Sequence, residues 1–203
     1  MVKKNELIHK IKHAFKNVKL EDGIGLWEAQ GHDDRLSAME CQTLRAKDEL
    51  SDWNTISIKS LYECSSSLSF FDAKGLRFHI PKYLLLALGV YKNEEDDLMN
   101  QEIISMSDTP DIDDFLLSFT TICKETTDIE YRRFHKERFS LFTNGQLKCL
   151  VGYLEYKKIE LEDHYKTDKV KELGLLPMAV QYDTDYIKLN EAIACWMNEF
   201  QIR

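Results

Sequence analysis

Glycine and proline are scarce, with 8 and 3 among 203 residues. That is too few for an all-β protein, whose many tight turns call on both. A positive excess is missing as well: 27 Lys and Arg stand against 35 Asp and Glu, a net charge of −8. The deficit argues against general binding to nucleic acid or to an anionic membrane. The five cysteines, Cys41, Cys64, Cys123, Cys149 and Cys195, include no Cys-x-x-Cys pair. An odd, scattered set suggests neither a disulfide framework nor a zinc site, so all five read as reduced and mostly buried. The longest strongly apolar run, Tyr83 to Tyr91, is about half of the roughly 20 residues that span a bilayer. Leu7 to Val18 carries charges throughout and reads as a folded amphipathic helix, not a signal peptide. The expected location is the cytoplasm. Glycine-rich phosphate loops and nucleophile elbows do not occur, so no catalytic signature stands out.

What is there suffices for a full core: 43% of residues are apolar and 31% charged, in the range of a folded domain. We expect one domain over 1–203. Leu7, Ile8, Ile11, Ala14, Phe15 and Val18 fall on one helical stripe, and lysines fall opposite. The helix should stop at Asp22-Gly23-Ile24-Gly25, where glycine opens backbone angles closed to other residues. A second helical stretch begins near Leu26. Asp33 or Asp34 is expected to cap a longer helix carrying Leu36, Met39, Thr43, Ala46 and Leu50. Ser57 can cap a short helix to about Cys64.

Leu68 to Ile80 carries the clearest β signal. Asp72-Ala73-Lys74-Gly75 fits a type I turn, and alternation puts Leu68, Phe70, Leu76, Phe78 and Ile80 on one face. Ser69, Phe71, Arg77 and His79 then share the other face, and Pro81 opens a helix to about Val90. Asn93 to Asp97 reads as a solvated acidic loop. Helices are expected after Thr109-Pro110, after Thr127 with Glu130, after Thr143 with Gln146, and from Tyr186 to Phe200. The predicted class is α+β: a mainly helical domain with one small β-hairpin at about 68–80.

Several constellations invite a functional reading. Asp22, Glu28, His32, Asp34, Arg45, Asp48 and Glu49 cluster in sequence on two successive helices. Brought together, such carboxylates and an imidazole could hold a divalent ion and activate water. They could equally cap helices and form a polar network tying the first helices together. Phe71, Arg77 and His79 on the outer hairpin face offer either a partner contact or a cross-strand pair covering the sheet. His9 and His13 have metal-ligand spacing, but Lys10, Lys12 and Lys16 surround them, which favours a solvated face. Arg132 to Arg138, interleaved with Phe134 and followed by Phe139, superficially resembles a nucleic-acid strip. Its flanking glutamates favour a solvated helix face that balances neighbouring acids.

The blocks DGIGLWEA (22–29), RAKDELSDW (45–53) and SLSFFDAKGLRFHIP (67–81) together resemble a family of small bacterial proteins known only as a domain of unknown function. FSLFTNGQLKCLVGYL (139–154) continues the likeness more weakly. The resemblance spans about 7–91 and 139–154, leaving 92–138 as an insertion or divergent region and 160–203 as a C-terminal helical extension. It implies no activity, cofactor or catalytic residue. It does direct attention to Gly23, Gly25, Trp53, Asp72, Gly75 and Phe78 besides the residues above, with Gly75 expected at positive φ in a hairpin bulge. Acidity and the missing catalytic signature favour a non-enzymatic binding or regulatory module. A toxin-neutralising protein that captures a basic partner such as a nuclease would fit. The alternative is a metal-assisted hydrolase built on residues 28–49. No cofactor is called for by any motif.

Overall fold

The computed structural model describes residues 3–124, 126–167, 172 and 177–202. Its helices are α1 (Lys4–Ala14), α2 (Leu26–Asp33), α3 (Ala38–Arg45), α4 (Ile58–Glu63), α5 (Ala73–Ala87), α6 (Lys92–Asn100), α7 (Ile112–Ser118), α8 (Ile129–Glu137), α9 (Asn144–His164) and α10 (Thr184–Glu199). Short 3₁₀ turns include Trp53–Thr55, Ser67–Ser69 and Phe119–Cys123. Of the expected C-terminal extension over 160–203, residues 168–171, 173–176 and 203 lie outside the described residues.

The expected α+β class is corrected to all-α, because no strand occurs among the described residues. The segment read as a β-hairpin is the start of α5. Asp72 accepts a hydrogen bond from the Gly75 N–H at 2.8 Å and caps that helix. Asp at the first and Gly at the fourth position suit a type I turn and a helical first turn alike, since both use right-handed helical angles. Burial beyond the cap decides between them. Gly75, Leu76, and every residue from Phe78 to Leu86 are buried, so α5 is buried nearly all round and loses the 3.6-residue period that marks a surface helix. Pro81 lies inside α5 instead of opening a later helix.

Other corrections have equally local causes. Ser37, not Asp33 or Asp34, caps α3, and its Oγ receives the Glu40 N–H. The expected long helix to Leu50 ends at Arg45, and Met39, expected on its apolar side, is 77% exposed. The acidic stretch at 93–97 is helical, with Glu94 and Glu95 in its first turn, where carboxylates suit the dipole. Its Glu95 accepts a 2.7 Å bond from the Tyr62 hydroxyl. Asp128, not Thr127, caps α8. Ser57 caps α4 and Thr143 with Gln146 forms the box at α9, as their spacing predicts.

Apart from the exposed Lys148, α9 is buried from Gln146 to Leu154 and packs against both α1 and α10. Gln146 is 1% exposed and fully engaged: its amide donates to the Ala14 carbonyl and accepts from Thr143 N–H and Arg77 Nε. Trp196 of α10 stacks on Phe119 with centroids 4.1 Å apart and meets Phe139 edge-on at 4.8 Å. Beside this cluster Cys123 and Cys195 are joined by a disulfide across 72 residues. The expectation of five reduced cysteines is corrected for these two, because the fold brings Phe119–Cys123 against α10. Cys41, Cys64 and Cys149 are free and buried. No described helix is long and apolar enough to cross a membrane.

Candidate functional site

The three sequence blocks that carry the family likeness meet at the turn over residues 20–25, and their polar groups serve that turn. Asp48 Oδ1 accepts the Trp27 N–H at 2.7 Å and Oδ2 accepts the Glu28 N–H at 3.4 Å, so Asp48 caps α2 from another segment. Asp72, while capping α5, also accepts the Ile24 N–H at 3.0 Å. Arg45 pairs with Glu28 at 2.6 Å and donates to the carbonyls of Gly23 and Glu21. Lys74 pairs with Asp22 and Glu21. Close approach explains the glycines. A Cβ on Gly23 would meet the Gly75 backbone at 2.8 Å, and one on Gly25 would collide with the Asp48 carboxylate. Gly25 has a φ of −82°, so expected access to unusual backbone angles is not its role. Gly75, expected at positive φ, is helical and small because the Ile24 carbonyl leans on it.

This network answers the metal-site reading residue by residue. Glu49 accepts the Ser51 and Asp52 N–H groups, which hold its carboxyl below the usual range. Asp34 accepts from Gln30 Nε2, and His32 Nδ1 lies 3.9 Å from Cys41 Sγ. Burial pushes the Asp48 carboxyl up to about 6. A cleft of about 290 Å³ beside Asp48 and Glu49 is flanked by Trp27, with Lys47 over its ring at 4.6 Å. Among the described residues no three His, Cys, Asp or Glu side chains are placed to hold a metal ion.

Two of the three residues of the expected contact patch lie inside the protein, and Arg77 is half-buried. Phe71 is 2% and His79 0% exposed, and the two rings stack at 4.3 Å. Arg77 is turned to Gln146. With α5 helical, no outer hairpin face exists for these side chains to share. Arg138, at the end of the basic run, is also buried, and it donates to the carbonyls of Phe71 and Leu68. Arg133 pairs with Glu130 and Glu137, and Lys136 with Glu199 at 2.8 Å.

A larger concave surface lies elsewhere, where α1 and α10 diverge across α9. It is a groove of about 620 Å³ floored by Leu7, Ala14, Val151, Gly152, Met197 and Ile202. His9, Lys10, His13 and Lys148 stand around it, with Glu155 as the acid among them. Lys10 pairs with Glu6 at 2.7 Å, whereas Lys148 forms no ion pair with a described residue. Cys149 also lines the groove, and burial pushes its thiol up to about 11, holding it protonated at neutral pH. The volume falls within the span of small-molecule sites, roughly 300–1,000 Å³.

Sequence reasoning had His9 and His13 in view as a solvated face, and it missed Lys148, Met197 and Ile202. The readable signal was the basic side of α1. The apolar floor comes from segments over a hundred residues apart and has no local mark. Residues 3–175 match the model of a family described as a family of unknown function (DUF6714). No curated protein and no solved structure matches the chain.

Proposed function

The chain belongs to the DUF6714 family of unknown function, and for it we propose a non-catalytic binding role: the groove over α9 holds an anionic amphiphile, an apolar chain with a carboxylate or phosphate head. The observation that carries this is the groove itself, an apolar floor edged by Lys10 and Lys148, with His9, His13 and one acid, Glu155, beside them, in a protein of net charge −8. Burying an alkyl chain against that floor contributes about 25 cal/mol per Å² of apolar surface removed from water. A cationic edge then favours an anionic head over an uncharged one. This reading keeps the non-enzymatic expectation and replaces the basic protein partner with an anionic small molecule.

Titration with 11-(dansylamino)undecanoic acid tests it. The expected result is saturable one-to-one binding with a blue-shifted emission, reversed by tetradecanoate or tetradecyl phosphate and at least about tenfold less well by tetradecanol. Relative potency of the first two competitors identifies the head group. A Cβ on Gly145 would meet only Thr143 Oγ1, at 3.9 Å, so Gly145→Phe should block the groove without disturbing the fold. Lys148→Glu should weaken the anions and leave the alcohol unchanged. Absence of saturable binding, or binding indifferent to both substitutions, overturns the proposal.

A further inference from the structure

The α10 side of the groove is tied to the Phe119–Cys123 turn by a disulfide. Met197 and Ile202 belong to the end of α10 and the residues just after it, two and seven positions past Cys195. Cys195 is 5% exposed, while its partner Cys123 lies in an exposed position at the end of the 3₁₀ turn. Cys41, Cys64 and Cys149 are buried, and burial raises the Cys64 and Cys149 thiols to about 12 and about 11. A thiol arriving from solvent therefore meets Cys123 first, and Cys123 is in the bond.

We propose that the Cys123–Cys195 disulfide is a thiol-responsive latch that holds the α10 wall of the groove, so that reduction weakens ligand binding there. The proposal rests on the groove being the binding site. In the reaction a thiolate RS⁻ attacks Cys123 Sγ, forming RS–Sγ and releasing Cys195 as a thiolate that takes up a proton. A second RS⁻ attacks the thiol-derived sulfur of the mixed disulfide, giving RSSR and the Cys123 thiolate, which is protonated in turn. Two thiols are oxidised to one disulfide, and the protein gains two electrons and two protons. After reduction α10 keeps the Trp196 stack on Phe119, the Trp196 Nε1 bond to the Leu116 carbonyl at 3.2 Å and the Lys136–Glu199 pair. These retain the helix, but the covalent tie next to Met197 is gone. The expected outcome is a looser wall in a still folded chain.

The test uses the full chain, oxidised and after treatment with excess dithiothreitol. Alkylation under denaturing conditions followed by mass spectrometry should count three free thiols before treatment and five after. Affinity for 11-(dansylamino)undecanoic acid should fall about tenfold on reduction and return on reoxidation, and amide exchange over 195–202 should quicken. Cys123→Ser should bind like the reduced chain and ignore dithiothreitol. Equal affinity in both redox states overturns the latch while leaving the groove reading intact. If neither state binds, the groove reading falls, and unchanged exchange over 195–202 then overturns the latch independently. Should Cys123→Ser fail to fold, reversible reduction of the natural chain decides alone.

Discussion

Replacing His79 with phenylalanine should flatten the loss of stability on mild acidification. The imidazole is fully buried, stacked on Phe71, with Nδ1 2.7 Å from the Gly75 carbonyl and Nε2 without a hydrogen-bond partner. Nδ1 therefore carries the proton of a neutral ring, and a second proton on Nε2 would place a charge in the core. Burial pulls the group down from 6.5 to about 4. Because the folded value lies below the unfolded one, this contribution to stability is complete above pH 6.5 and is lost as pH falls toward 4. At pH 5 the unfolded chain has taken up the proton and the folded chain has not. The ratio of binding polynomials is about 30, or about 2 kcal/mol. Phenylalanine keeps the stack and cannot titrate, and Gly75 still faces the main-chain N–H four residues on. Urea denaturation at pH 7.5 and 5.0 measures the difference: the natural chain should lose about 2 kcal/mol more than the variant. His79→Leu repeats the comparison with a different shape, guarding against overpacking. Equal losses in the natural and substituted chains would refute the claim that the core keeps this ring neutral.

The Asp48 carboxyl has the opposite sign. Its folded value, about 6, lies above the ordinary 3.8 because burial outweighs the two N–H bonds, so its contribution is present below 3.8 and is lost as pH rises through 6. Asp48→Asn should therefore gain roughly 1–2 kcal/mol over the natural chain between pH 4 and 7 in urea melts, after allowance for solvent access. Arg45→Met removes the donors to Glu28, Gly23 and Glu21 together and should cost about 2–4 kcal/mol in the same assay. Arg45→Lys should recover only part of that, since an ammonium cannot span three acceptors in one plane. Reducing the Cys123–Cys195 bond releases a loop constraint of 72 residues and should lower unfolding stability by about 4 kcal/mol, and an unchanged urea midpoint with dithiothreitol would contradict this.

Local chemistry in the sequence located helix starts where the capping residue sits beside a clear apolar period. Ser57 and the Thr143–Gln146 box are such cases. It failed at α5 because burial on every side erases the contrast on which a periodicity argument depends. Leu76, Phe78 and Ile80 alternate along the chain, and so do the equally buried His79 and Pro81 between them. It failed at α3 for a tertiary reason. The pattern would carry that helix to Leu50, but the Arg45 fork and the Asp48 cap act on the 21–28 segment. Serving those partners turns the chain out of the helix.

The same contrast explains why the conspicuous cluster at residues 22–49 lies away from the groove. Asp, Arg and Gly at close spacing stand out in a sequence, yet here they satisfy main-chain groups of a crowded turn, and an unmet buried N–H or C=O costs as much as a lost hydrogen bond. Glu28, Arg45, Asp48 and Asp72 thus hold the turn together, and Asp22 pairs with Lys74 at its exposed edge. A binding groove needs what folding leaves uncovered: apolar surface without a neighbour and charge without a partner. Lys148 and Met197 meet that description, the first unpaired among described residues and the second 39% exposed at the end of a helix. Neither is unusual in its own stretch of sequence. Their meaning arises only when α1, α9 and α10 come together and leave a gap between them.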